Sequence, residues 1–134
     1  MYSNYIRDIL KLDTSLNIEK FYCGKIDNKF EKSICVYDLG NVNNLDTDIG
    51  KTENKTLTNK YQILIRWNKN YIETETASRK IYDYLTNIRN LSYNNIEINF
   101  IEPQSNIPID LHSGDDDIYE RSIDIKIYFK EKNE

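Results

Sequence analysis

The chain has 134 residues, enough to bury one hydrophobic core without disulfides or metals, so a single domain spanning 1–134 is the default. With 39% hydrophobic residues and few glycines or prolines, it is too apolar for global disorder. Its net charge of −4, with both signs dispersed, leaves no basic stripe for a nucleic-acid backbone. No run reaches the ~18 apolar residues of a membrane span, and the first residues carry neither a basic nor an apolar leader segment. Synthesis and use in the cytoplasm is the expectation.

In chain order, Tyr2, Ile6, Ile9 and Leu10 recur at helical spacing and predict an amphipathic helix over 2–12. Two short runs, Lys20–Ile26 and Lys32–Leu39, flank a polar link and read as an antiparallel hairpin. A turn centred on Lys29 would set Phe21 against Tyr37, Tyr22 against Val36 and Cys23 against Cys35. Those cysteines would be neighbours, and a reducing compartment favours two packed thiols over a disulfide.

Residues Gly40–Asn59 are polar and without period, which predicts a long loop. Connections of this length are usually functional or ordered on binding. Tyr61, Ile63, Ile65 and Trp67 then alternate with less apolar neighbours, the period of a strand with one buried face. Asn70 followed by Glu73 three residues later has capping-box spacing, and Ala77, Ile81, Tyr84, Leu85 and Ile88 continue a helix from it. Asn94-Asn95 predicts a tight turn between Leu91–Tyr93 and a strand over Ile96–Ile101. Pro103 and Pro108 bracket a connection that leads to an acidic turn at Ser113–Asp117. The last strand alternates cleanly, with Tyr119, Arg121, Ile123, Ile125, Ile127 and Phe129 on one face. The order α-β-β-β-α-β-β predicts an α+β fold, a mostly antiparallel sheet with two helices on one face.

The residues specify no catalytic chemistry. His112 is the only histidine, with no Cys or second His at ligand spacing, and reads as a solvent-facing loop residue. Asp115-Asp116-Asp117 lacks the alternating ligands and distant Glu of a calcium loop, so a solvated turn is preferred to a cation site. No catalytic, cofactor-binding or metal residue is expected, and no cofactor. Eleven tyrosines spread over every element favour an assembly role only weakly, because tyrosine also serves as ordinary half-buried packing.

Three stretches in order resemble the minor capsid proteins of prophages of low-GC Gram-positive bacteria, which are similar to tail terminators. They are Gly24-Lys25-Ile26-Asp27-Asn28-Lys29 with Glu31-Lys32-Ser33-Ile34 and Val36-Tyr37, then Ile63–Asn70 leading into Glu73-Thr74-Glu75 and Ala77, then Ile118–Tyr128. The resemblance implies a structural virion protein that forms a hexameric ring at the head-proximal end of the tail tube, stops tube polymerisation and joins the tail to head or collar. It implies as partners further copies of the chain, the tail-tube protein, a sheath and a connector or collar protein, and a location in the host cytoplasm and then in the virion or a tail-like particle. Val42, Leu45, Ile49 and Leu57 in the 40–59 loop, with Asp115, Asp116 and Asp117, are the candidate assembly contacts. The alternatives are a head-tail connector or neck-completion protein, the collar protein of a tail-like bacteriocin, a host-recruiting adaptor and, least supported by the residues, a small enzyme.

Overall fold

The computed structural model of the chain describes residues 2–27, 29–40, 56–113 and 116–132. Its elements run α1 (Ser3–Lys11), β1 (Lys20–Cys23), β2 (Ser33–Gly40), β3 (Leu57–Arg66), α2 (Tyr71–Thr86), β4 (Arg89–Tyr93), β5 (Ile96–Pro103), β6 (Ile109–Ser113) and β7 (Tyr119–Glu131). The fold is α+β as expected, and the predicted order is retained with β4 and β6 as additional short strands.

Seven strands form one sheet in the order β1-β2-β3-β7-β5-β4, with β6 beside β7. The thirteen-residue β7 is the organising strand: β3 lies along one side, while β5 and then β6 share the other. Its alternation explains this placement. Ile123, Ile125, Ile127 and Phe129 are buried and face Ile63 and Tyr61 of β3 and Ile101 and Ile98 of β5. A strand flanked on both sides and covered on one face is expected to carry a strict period of two.

Both helices cover that same face. Ile6, Ile9 and Leu10 of α1 and Ala77, Ile81, Tyr82 and Leu85 of α2 join the strand residues in one core. Asn70 caps α2 as predicted, its side chain accepting from the Glu73 amide at 3.0 Å. The reciprocal half of the capping box is rearranged, because Asn68 occupies both groups. It donates to the Glu73 carboxylate at 2.8 Å and accepts from the Asn70 amide at 2.9 Å.

Tyrosine hydroxyls fasten segments distant in sequence. Tyr84 donates to the Ile9 carbonyl (2.7 Å), Tyr82 to the Ser105 carbonyl (2.9 Å), Tyr93 to Asp8 (3.1 Å) and Tyr128 to Glu102 (2.9 Å). These contacts give four of the eleven tyrosines a role within one subunit.

Three expectations are corrected. The hairpin over 20–39 does not form: β1 pairs with β2 in parallel, with Phe21 opposite Ile34 and Cys23 opposite Val36. Sidedness explains the outcome. The antiparallel register would have placed Phe21 and Cys23 on the face of Tyr37 and Cys35, whereas Ile34 and Val36 are the β2 residues that meet the core. The parallel register keeps the apolar residues of β1 on the helix side, which a period of two demands. Gly24, at φ 81°, turns the chain out of β1, and Lys32, at φ 52°, brings it back into β2. Cys23 and Cys35 are both free and lie on opposite faces of the sheet.

The second correction concerns the long loop. Gly40 closes β2, and β3 begins at Leu57, so Leu57–Asn59 belong to the sheet and pair with Ile127–Phe129. Asn59 is buried there because its amide donates to Asp38 at 2.9 Å and to the Lys60 carbonyl at 3.1 Å. Third, the connection after Pro103 contains β6, so His112 sits on a strand, although its side chain is exposed as expected.

Candidate assembly surface

The surface around β6 is built from three elements. Tyr71 opens α2, and its hydroxyl donates to Asp110 of β6 at 3.3 Å. Its ring meets Tyr119 of β7 edge-on, with centroids 5.3 Å apart. The first turn of α2 is thereby held against the end of the sheet.

β6 pairs only with β7 among the described strands, so its outer edge is open there. Ile107, Ile109 and Leu111, on and just before this strand, are 58%, 43% and 42% exposed. An open edge carrying three exposed aliphatic side chains within five residues offers backbone hydrogen bonds and apolar area to another chain. The sequence contains the signal, since Ile107, Ile109 and Leu111 alternate with Pro108, Asp110 and His112. Pro108 concealed it, although proline is tolerated immediately before an edge strand.

The expected contact residues fall into three groups. Val42, Leu45, Ile49 and Asp115 lie outside the described residues. Leu57 starts β3, half-buried and packed against the core. Asp117 is exposed in a left-handed conformation at φ 64°, and Asp116, also exposed, hydrogen-bonds the buried guanidinium of Arg66. The bond from Arg66 holds the Asp116 carboxyl below its usual range. Glu120, 3.8 Å from Arg66, is pushed the other way by burial, which outweighs the nearby cation.

The depressed Asp116 carboxyl gives a testable sign. A group with a lowered folded-state pKa stabilises above its unfolded value, near 3.9, and loses that contribution as pH falls through the folded value. Asp116→Asn should therefore melt below the wild type at neutral pH, and the two melting curves should converge in acid. Thermal melts from pH 7 down to pH 2 check this; a gap that persists at the acid end would show that the ion pair is not its source.

Among the described residues, no group of three His, Cys, Asp or Glu side chains is placed to hold a metal ion, and no helix is long and apolar enough to cross a membrane. The sequence profile of a family described as bacteriophage tail terminator protein matches residues 5–131. The chain belongs to this tail terminator family. No curated protein matches it. The match spans the chain from α1 to the end of β7, so family membership concerns the whole sheet and both helices. Tail terminators are structural phage proteins, and the open β6 edge is a surface suited to protein contact.

Proposed function

We propose that the chain forms a hexameric ring at the head-proximal end of the tail tube, where it stops tube polymerisation and presents the surface that joins the tail to head or collar. The observation that carries this reading is the family match over residues 5–131. The exposed Ile107, Ile109 and Leu111 beside the open edge of β6 support it, because a ring subunit needs a repeated heterologous contact that closes on itself. The role is architectural and non-enzymatic. Its partners on this reading are further copies of the chain, the tail-tube protein, a sheath where the tail is contractile, and a connector or collar protein. Assembly takes place in the host cytoplasm and leaves the protein in the virion or tail-like particle. The Asn-, Lys-, Ile- and Tyr-rich composition supports an origin in a low-GC genome, in keeping with a minor capsid protein of a Gram-positive prophage. Val42, Leu45, Ile49, Leu57, Asp115, Asp116 and Asp117 remain proposed contacts, with Asp116 acting through the Arg66 pair.

The test is to image particles by electron cryomicroscopy with the gene present and deleted. A sixfold ring capping the tube next to the head, and headless tails of irregular length in the deletion, are the expected results. A twelvefold ring at the portal would replace this reading with the connector alternative, and a position at the tail tip would remove it.

A further inference from the structure

A cleft of about 430 Å³ lies between α2 and the segment that leads into β6, with Arg121 of β7 in its lining. The Arg121 side chain is only 7% exposed, makes no hydrogen bond among the described residues, and has Nε and Nη2 buried without a hydrogen-bond partner. The nearest carboxylate, Asp110, stands 3.7 Å from Nε. It is already engaged, accepting from the His112 amide at 2.7 Å and from the Tyr71 hydroxyl at 3.3 Å. Burial pushes the Asp110 carboxyl up, but these donors and the Arg121 charge together hold it below its usual range. The Tyr71 ring, 5.2 Å from the guanidinium, supplies a π-face and no acceptor lone pair. A guanidinium carries five N–H donors, and one left buried without acceptors is costly enough to call for an explanation.

The rest of the cleft sharpens the chemistry. Arg79 and Lys80 add two cations to the lining, with Glu75 its one acid, while Asp83 and Asp110 stand just outside it against Arg79 and Arg121. Arg79 is shared with Asp83 at 3.3 Å, whereas Lys80 has no ion-pair partner among the described residues. The exposed Ile107 and the buried Pro108 also line the cleft. A phosphate backbone would gain nothing from these apolar side chains, but the methylene stem of an acidic side chain would pack on them.

We propose that this cleft receives the carboxylate of an aspartate or glutamate presented by a neighbouring protein subunit, with Arg121 as the anchoring charge, Lys80 at the rim and Ile107 against the stem. Charge-assisted pairing of this kind is the strong form of the hydrogen bond and is favoured where water is excluded. The choice of a protein as the source rests on the tail reading above; the preference for a carboxylate does not.

The test uses the full chain in isolation and follows the Arg121 Nε–Hε resonance and the Ser78 and Ile107 amides by NMR. The probes are a capped Ala-Glu-Ala peptide, its Ala-Gln-Ala counterpart, sodium acetate and inorganic phosphate. The glutamate peptide should shift all three signals saturably, and the glutamine peptide should bind about tenfold more weakly. Lys80→Ala, at the rim and away from the core, should weaken the glutamate peptide, and Arg121→Gln should abolish its saturable shift at Ser78 and Ile107. Equal binding of the two peptides, or no saturable shift, would overturn the site. Acetate or phosphate binding as well as the glutamate peptide would leave a free-anion site and overturn the protein source. Because no particle is involved, either failure is separate from failure of the terminator placement.

Discussion

Ile125→Ala is expected to lower the unfolding free energy by about 2–5 kcal/mol, the range for truncating a buried aliphatic side chain that its neighbours cannot collapse onto. Ile125 is fully buried at the centre of the sheet, opposite Tyr61 on one side and Pro103 on the other. Asp124, one residue earlier, points to the other face, where it accepts from the Ser122 hydroxyl at 3.1 Å. Asp124→Ala should change stability by no more than about 0.5 kcal/mol. Urea denaturation followed by circular dichroism separates them: the Ile125 variant should show a lower midpoint at unchanged slope. Coincident curves for the two variants would mean that the burial of β7 is wrongly assigned.

A loss at least as large is expected for Trp67→Ala, about 3–5 kcal/mol. Trp67 is buried just past the end of β3, and its backbone ties three segments. Its amide donates to the Tyr119 carbonyl at 3.0 Å, and its carbonyl accepts from the Lys32 amide at 2.7 Å. The Lys32 ammonium lies 5.8 Å from the ring centroid. The backbone bonds survive the substitution, so the loss reports the ring: its buried area, its packing on the core and the cation above it. Trp67→Phe should recover most of the stability. A phenylalanine variant as unstable as the alanine variant would point to the indole specifically and not to buried area.

Ile125 lies in a strand, and Trp67 just past the end of another, that could be read directly from the chain. Tyr61, Ile63, Ile65 and Trp67, like Ile123, Ile125 and Ile127, alternate because each strand is covered on one face only, and this local pattern survives into the fold. The Asn70–Glu73 cap was legible for a similar reason, since its geometry spans four residues. The direction of β1 was not. Lys20–Cys23 is too short to fix a register by its own pattern, and the choice between parallel and antiparallel pairing is decided by which face of β2 meets α1, a relation between distant residues. The start of β3 was hidden because Thr58 and Asn59 are polar yet buried, with Asn59 compensated by Asp38 twenty-one residues earlier. Of the candidate contacts, Asp116 was visible as an acidic residue, but its partner Arg66 lies fifty residues away and could not be inferred from spacing. The β6 surface and the Arg121 cleft went unread because each depends on β5 and β6 lying end to end along one strand.

That arrangement of β7 bears on how the protein is made. The strand that bridges β3 to β5 and β6 is the last of the described elements to leave the ribosome, so β3, β5 and β6 each wait with an edge unpaired. The nascent chain can pair β1 with β2 and β2 with β3, and can close the β4–β5 hairpin, but these two halves have nothing to join them until residues 119–131 arrive. Pairings this remote in sequence form late and slowly. Completion of the sheet therefore waits for residues 119–131, and a chain interrupted before Tyr119 lacks the strand that joins its two halves.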